Sequence, residues 1–254
     1  MKRILKKLMS FIIFIISVLI IIAGFFSIKG YNMYRDAVSE CPLNEKIHDI
    51  RTREDFTSFD KLPEMYVKAV VSAEDKRFWK HHGIDLLAIG RAVWNDIRTL
   101  SFAEGGSTIT QQLMKNEYFT QEKKLERKFA EIFAARAIEK ECSKEEIFEL
   151  YANTIYFGGG YYGIYDAAKG YFGKTLQELA DYECILLAGL PNAPSAYSPY
   201  TNPGLAEQRM KQVTDRMVKC GVISQQQANS FIEEYKNSSV GITRRRLALG
   251  AETT

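Results

Sequence analysis

The stretch SAEDKRFWKHHGID, residues 72–85, places a carboxylate where a helix is expected to face the core of the protein. If a helix begins near Pro63, four apolar residues fall on one of its faces: Val67, Val70, Val71 and Phe78. Glu74 lies on that same face. A carboxylate among apolar side chains is desolvated, which makes it a stronger base and a candidate for proton transfer. The alternative is a structural acid paired with a nearby base such as Arg77 or Lys80.

The chain around this stretch carries helix signals and few strand signals. In a capping box, a hydroxyl side chain and an acid or amide three residues later satisfy each other's backbone amides. Three such pairs predict helix starts: Ser143 with Glu146, Thr175 with Glu178, and Ser224 with Gln227. Asn202 followed by Pro203 predicts another start, and Gly221 predicts a stop. We therefore expect an all-α domain over residues 63–236, followed by a disordered tail at 237–254.

The N-terminal region predicts a membrane anchor. Residues 8–28 are uncharged, and at ~1.5 Å per residue they reach about 31 Å, the thickness of the hydrocarbon core of a bilayer. A cleaved signal peptide has a shorter apolar region of ~7–15 residues and a small-residue cleavage site, which does not follow here. A buried core helix is the other alternative. The basic residues within 1–7 predict a cytoplasmic tail, so that 29–62 becomes an extracytoplasmic connector.

Composition limits the other classes of function. The chain has 254 residues and a net charge of +3, but four of its bases lie among the first seven residues. The remainder is close to neutral, which argues against a nucleic-acid-binding domain. The four cysteines show neither metal-site spacing nor a short disulfide framework. They could pair outside the cytoplasm, with no pairing indicated, and buried or free thiols are favoured over a catalytic role.

The stretch EGGSTITQQLMKN, residues 104–116, predicts a tight turn followed by a helix. Gly105 and Gly106 allow the turn, and Ser107 or Thr108 can cap the helix. Four polar residues then share one face of the helix: Thr108, Gln111, Gln112 and Lys115. Free amides at a helix start attract anions, so this face is a candidate phosphate site. An ordinary solvated helix face is the alternative.

The stretch KKLERKFAEIFAARAIEK, residues 123–140, is typical of a helix with one apolar and one charged face. The charged face places three cations around Glu131: Lys124, Arg127 and Lys128. Such a face is either solvated surface or a cationic wall able to hold a diphosphate, directly or through a metal. Two later segments indicate tight packing and a rigid loop: the glycine-rich residues 149–174 and the proline-rich residues 188–199.

In their order and separation, these five segments resemble the five motifs of the peptidoglycan glycosyltransferases, glycosyltransferase family 51. The first motif, E-D-x-x-F-x-x-H-x-G, is matched by Glu74, Asp75, Phe78, His81 and Gly83. The second, G-G-S-T-I-T-Q-Q, is unbroken from Gly105 to Gln112, and the third, R-K-x-x-E, is Arg127, Lys128 and Glu131. The fourth is matched from Asn153 through Tyr171-Phe172-Gly173-Lys174. The fifth departs slightly, because Asn192 stands where the family usually has Gln.

The resemblance covers residues 60–200 and implies an all-α, lysozyme-like fold with two lobes, a head and a smaller jaw that dips into the membrane. It implies polymerisation of lipid II into glycan strands. The 4-hydroxyl of N-acetylglucosamine attacks the donor's anomeric carbon with inversion, and undecaprenyl diphosphate is released. The catalytic residues implied are Glu74, as general base, and Glu131. The implied substrate-binding residues are Asp75, Phe78, His81, Gly105, Gly106, Ser107, Thr108, Thr110, Gln111, Gln112, Lys115, Lys123, Arg127, Lys128 and Asn153.

The resemblance also implies partners and cofactors. The partners are lipid II, the growing glycan on undecaprenyl diphosphate, the membrane that holds both, and penicillin-binding transpeptidases. No cofactor is required, and a divalent cation, Mg or Mn, at the diphosphate is optional. About fifty residues follow the fifth motif, too few for a transpeptidase domain, so we expect a monofunctional enzyme.

Two other classes of function are alternatives. A lysozyme-like lytic hydrolase would also use a helical glutamate, but it would need no cationic wall beside a membrane. A non-catalytic cell-wall scaffold could keep the fold without needing either Glu74 or Glu131.

Overall fold

The computed structural model describes residues 2–99, 106–119 and 124–251, and it is almost entirely helical within them. Its helices are α1 Lys2–Glu40, α2 Leu43–Arg51, α3 Glu64–Glu74, α4 Leu86–Thr99, α5 Ile109–Tyr118, α6 Leu125–Glu141, α7 Lys144–Thr154, α8 Ile164–Phe172, α9 Asp181–Gly189, α10 Pro203–Lys219 and α11 Gln225–Ala251. In the described part of the chain, the strands form one antiparallel hairpin, β1 Tyr156–Gly158 and β2 Tyr161–Tyr162. The prediction of an all-α fold is confirmed, while its division into head and jaw stays a prediction.

The apolar N-terminal run belongs to a helix that is longer than the predicted anchor. By length and composition, α1 can cross a membrane. It continues beyond Ile28 as far as Glu40. The predicted connector at 29–62 therefore contains the end of α1, all of α2 and a short 3-10 helix, and it contributes Leu62 to the core. At the other end, α11 reaches Ala251, and the predicted disorder of residues 237–254 stays a prediction.

The core forms around α3, which packs against α9 and α10, while α5 packs against α6 and α7. Large side chains such as Tyr66, Phe148 and Phe157 are fully buried where these layers meet. Burial of aromatic side chains is a main source of stability in a core of this kind. Because α3 is enclosed by α9 and α10, the position of its last residue, Glu74, is determined by several helices at once.

Most predicted helix boundaries are confirmed. The capping boxes at Ser143 and Ser224 form, and α10 begins at Pro203. The Thr175 box also forms, although it caps a 3-10 helix of three residues.

The predicted continuation of α3 through Phe78 is wrong, because the backbone leaves helical geometry at Asp75, with φ −154° and ψ 74°. Phe78 instead begins a short 3-10 helix and is fully buried in the core.

The start of α4 is held by a partly buried ion pair between Asp85 and Arg77. Asp85 accepts hydrogen bonds from Arg77 Nε at 2.7 Å and from the backbone amide of Ala88 at 2.7 Å. The hydrogen bond from Arg77 lowers the pKa of Asp85 to about 2. The carboxyl is 2% exposed, so this pair connects the end of the first motif to α4 in a partly desolvated setting.

Asp85→Asn is expected to lower the free energy of unfolding at pH 7 by about 2 kcal/mol, the value of a pKa depressed by roughly two units. A depressed carboxyl pKa contributes stability above the ordinary pKa near 4, and this contribution is lost as the pH falls through about 2. Thermal unfolding of the detergent-solubilised chain from pH 7 to pH 2 measures it. The surface variant Asp60→Asn is the control. A difference in the free energy of unfolding between wild type and Asp85→Asn that stays constant down to pH 2 would contradict this account.

Candidate active site

Glu74, the last residue of α3, makes two hydrogen bonds with distant helices. Its Oε1 accepts from Arg209 Nη2 of α10 at 2.9 Å, and its Oε2 accepts from Gln112 Nε2 of α5 at 3.0 Å. The side chain is 13% exposed. The alternative of pairing with Arg77 or Lys80 is wrong, since Arg77 pairs with Asp85 and the cation beside Glu74 comes from 135 residues further along the chain.

Arg209 was missed by the sequence reasoning. Its side chain is 6% exposed, and its Nε donates to the carbonyl oxygen of Gly189 at 3.2 Å while Nη1 donates to Gln212 at 3.2 Å. It lies on the buried face of α10 with Ala206, Met210 and Val213. A signal was present, because a charged residue on an apolar helical face is the same pattern that marked Glu74.

The start of α5 is capped by side chains of the protein itself. Thr108 Oγ1 accepts from the amide of Gln111 at 3.1 Å and donates to the carbonyl oxygen of Gly83 at 2.7 Å. Gln111 Oε1 accepts from the amide of Thr108, and Asp75 accepts from the amide of Ile109, both at 3.1 Å. The prediction of free amides for a phosphate is wrong at these three positions, because each already has an acceptor. Thr108 and Gln111 are buried and serve as caps.

Other residues predicted to bind substrate also have partners inside the fold. Asp75 Oδ2 lies 2.8 Å from His81 Nε2, and both side chains are buried. Thr110 donates to Glu139 at 2.7 Å. Asn153 accepts from the amide of Thr57 and donates to its carbonyl oxygen, each at 2.8 Å. These polar groups satisfy buried partners, as buried polar groups generally do. A substrate contact by any of them stays a prediction.

A cluster of charges forms where α5 faces α6. Glu131 is 1% exposed, and its carboxylate lies 2.6 Å from Lys128 Nζ and 3.3 Å from Arg127 Nε. Lys128 Nζ also donates to Ser107 Oγ at 2.6 Å, which ties α6 to the segment before α5. The alternative of a solvated charged face is therefore wrong for Glu131. Lys128, at 44% exposed, still reaches solvent.

Lys115 connects Glu74 with this cluster. Burial lowers the pKa of Lys115, and the cations Arg127 and Lys128 lower it further, whereas Glu131 and Glu74 raise it. A single ammonium group thus lies within electrostatic reach of both predicted catalytic carboxylates. The structure therefore brings Glu74, Gln112, Lys115, Arg127, Lys128 and Glu131 into one site.

Of the remaining predicted residues, the structure describes Gly106, in the segment before α5. Gly106 is close enough to α4 that an added Cβ would lie 3.6 Å from Ile89. Gly105 and Lys123 lie outside the residues that the structure describes.

The comparison with known protein families decides the identity of the fold. A family model described as "Transglycosylase" matches residues 43–218, well over half of the chain and all of the site described above. This chain belongs to the transglycosylase family.

Relatives of this transglycosylase include longer proteins. It is 45% identical over 179 residues to penicillin-binding protein 1A of Aquifex aeolicus (strain VF5). The matched region covers 70% of this chain and 25% of that protein. It is 43% identical over 182 residues to penicillin-binding protein 1A of Neisseria gonorrhoeae, covering 72% of this chain and 23% of that protein. The transglycosylase thus spans about a quarter of the length of these curated relatives.

A solved structure was also found. The 2.6 Å crystal structure of penicillin-binding protein 1A from Haemophilus influenzae is 29% identical and covers 50% of this chain and 16% of that chain, with a TM-score of 0.34. That score is too low for a comparison of the folds, so the assignment to the transglycosylase family depends on the sequence matches.

The transglycosylase site does not fit a metal ion held by the protein. Among the described residues, no three His, Cys, Asp or Glu side chains are grouped as metal ligands. The carboxylate of Glu131 is placed against Lys128 and Arg127, which compete with any metal for its oxygens. A divalent cation carried by a bound diphosphate stays a prediction.

Proposed function

We propose that this transglycosylase polymerises lipid II into peptidoglycan glycan strands and releases undecaprenyl diphosphate. The observation that carries the proposal is that Glu74 and the cations around Glu131 meet at α5. Gln112 of α5 donates to Glu74 at 3.0 Å, and Lys128, which pairs with Glu131, donates to Ser107 just before the same helix at 2.6 Å. A base and a group of cations side by side suit a reaction in which a hydroxyl attacks one side of a sugar carbon and a diphosphate leaves from the other.

Glu74 is the base in this proposal. The 4-hydroxyl oxygen of N-acetylglucosamine forms a bond to the donor's anomeric carbon, while the bond from that carbon to the diphosphate oxygen breaks and its electron pair leaves with the diphosphate. The hydroxyl proton passes to the Glu74 carboxylate. Arg209 and Gln112 donate to its two oxygens and so fix its orientation, as a base within reach of the hydroxyl requires.

The cation cluster stabilises the leaving group. Lys115, Arg127 and Lys128 are placed to offset the negative charge that develops on the diphosphate, which is the general role of positioned cations in transition-state stabilisation. Glu131 holds two of these cations within 3.3 Å and is the residue that positions them. By resemblance to its family, Lys123 adds a further cation.

The N-terminal anchor predicts on which side of the membrane this reaction takes place. The uncharged part of α1 is long enough to cross a bilayer, and the bases before it favour a cytoplasmic N-terminus with the catalytic residues outside. A lipid-linked substrate is confined to the same bilayer by its own tail. Penicillin-binding transpeptidases as partners stay a prediction.

The experiment is incubation of the purified, detergent-solubilised full chain with lipid II, with and without Mg²⁺ or Mn²⁺, followed by separation of the products by size. Polymer is expected. If no polymer forms in either condition, and the chain instead digests finished glycan strands, the lytic hydrolase is the better account. If neither reaction occurs, the non-catalytic scaffold is favoured.

Arg209→Met is expected to slow polymerisation by about tenfold or more, since a charge-assisted hydrogen bond to the base is lost. Arg209 Nη2 lies 2.9 Å from Glu74 Oε1, so this variant leaves the carboxylate without the cation in direct contact with it. The rate of lipid II polymerisation, measured beside thermal unfolding of the same sample, checks this.

Two further variants sharpen that test. Arg209→Lys keeps the positive charge but not the geometry of the guanidinium, and it is expected to restore part of the rate lost in Arg209→Met. Lys211→Met removes an exposed charge from the same helix and is the control. A folded Arg209→Met chain that polymerises lipid II at the wild-type rate would show that Arg209 only supports the fold.

A further inference from the structure

The part of α1 beyond the apolar run packs along α6. Tyr31 and Tyr34 lie with their ring centroids 5.3 Å and 6.4 Å from that of Phe133. Lys29 Nζ lies 3.6 Å from the Glu126 carboxylate. In the described part of the chain, this is the most extensive contact between two helices. The anchor helix is thus packed directly onto the helix that carries Glu131.

Gly30 is the point of closest approach between the two helices. A Cβ at this position would collide with the Cβ of Phe129, and it would lie 2.8 Å from the Glu126 carbonyl oxygen and 2.9 Å from the Ala130 amide nitrogen. Two of these three atoms are backbone, so no side-chain rotation can relieve the overlap. Any side chain at position 30 must therefore push α1 and α6 apart.

The opposite face of the same two turns of α6 carries the cations. Gly30 contacts positions 126, 129 and 130, whereas Arg127, Lys128 and Glu131 point towards the site. At 100° per residue these sets fall on opposite sides of the helix. A shift of α6 away from α1 is therefore a shift of these charged groups within the site.

The contact also sets a height above the membrane. Gly30 follows the last residue of the uncharged run, Ile28, by two positions, about 3 Å along the helix axis. The first turns of α6 are therefore placed just outside the hydrocarbon core, in the polar headgroup region. The diphosphate of a lipid-linked sugar lies in that region.

We propose that the membrane anchor, through the contact between Gly30 and α6, positions the cation cluster at the depth of the substrate diphosphate. Gly30 is a positioning residue, acting through Arg127, Lys128 and Glu131. The inference rests on the proposed polymerisation of lipid II.

The test compares Gly30→Leu with Gly24→Leu in the full chain. Gly24 is on the same helix, and an added Cβ there meets nothing within 4 Å, so Gly24→Leu is a matched control. We expect kcat for lipid II to fall by about tenfold or more in Gly30→Leu, since a misplacement near 1 Å has effects of this size. KM is expected to stay within about twofold, and Gly24→Leu to match wild type.

Hydrogen exchange provides a readout that needs no activity. The backbone amides of residues 125–134 are expected to exchange faster in Gly30→Leu than in Gly24→Leu, because α6 loses its packing against α1. Phe133→Ala removes the contacts with Tyr31 and Tyr34 without a backbone clash. It is expected to lower kcat in the same direction by a smaller factor, and it replaces Gly30→Leu if that variant does not fold.

The outcomes are separable. If wild type and Gly24→Leu polymerise lipid II and Gly30→Leu does so at the same kcat, the positioning role is overturned while the proposed function stands. If wild type makes no polymer, the proposed function fails and the catalytic part of this inference fails with it. If exchange rates in α6 are equal in Gly30→Leu and Gly24→Leu, packing at Gly30 does not hold α6, and the proposal is overturned whatever the activity.

Discussion

Glu74→Gln is expected to lower the rate of lipid II polymerisation by roughly 10²–10⁴-fold, the usual contribution of a general base. The amide keeps the size of the side chain and an oxygen that can accept from Arg209, but it cannot take the hydroxyl proton. The rate is measured with purified chain in detergent, with products separated by size. Thermal unfolding of the same sample shows whether the variant is folded.

Glu64→Gln is the matched control for this experiment. Glu64 begins the same helix, is 82% exposed and pairs with Lys68 in a surface contact, so its loss is expected to leave the rate unchanged. A folded Glu74→Gln chain that polymerises lipid II within a few-fold of wild type would remove Glu74 from the role of base.

Glu131→Gln is expected to lower kcat by about 10²-fold, the scale of losing one preorganised electrostatic element. Glu131 does not reach the hydroxyl in this proposal. Its carboxylate holds Lys128 at 2.6 Å and Arg127 at 3.3 Å, and both cations would move once it is neutral. The kcat and KM for lipid II check this, and the loss is expected mainly in kcat because the diphosphate charge develops in the transition state.

Glu141→Gln, at the exposed C-terminal end of the same helix, is the control for Glu131→Gln. Removing a buried partner can also destabilise a protein by ~3–5 kcal/mol, so thermal unfolding is measured beside the kinetics. A folded Glu131→Gln chain with a near-normal rate would reduce Glu131 to a structural acid within α6.

The sequence indicated Glu74 as an unusual residue, but it did not indicate Arg209 as its partner in the ion pair. Glu74 was visible because an acid on an apolar helical face is unusual, and Arg209 carries the same signal on the buried face of α10. Nothing in the sequence could pair them, because they are 135 residues apart and meet only when α3 packs against α10. The nearer bases were plausible partners by spacing alone, but the chain turns at Asp75 and directs Arg77 to Asp85.

In the second motif, the sequence predicted backbone amides free for a phosphate, and the structure gives several of them acceptors within the protein. Its polar face was correctly assigned to a helix start, yet Thr108 and Gln111 are used to cap that helix and Asp75 takes the amide of Ile109. Only Gln112 and Lys115 of the predicted four face the site. A small polar residue at a helix start serves equally well as a cap or as a ligand, and the choice depends on which acceptors the fold brings nearby.

The sequence by itself determined the helix starts, the apolar run of the anchor and the residue types of the five motifs. These depend on interactions between residues a few positions apart, as in the boxes at Ser143 and Ser224. Only the tertiary structure decided which cation pairs with Glu74 and that Glu131 is enclosed rather than solvated. It also decided that the anchor helix packs closely on α6 at Gly30. Each of these depends on which helix faces meet, and that is set by the packing of the whole core rather than by any local stretch.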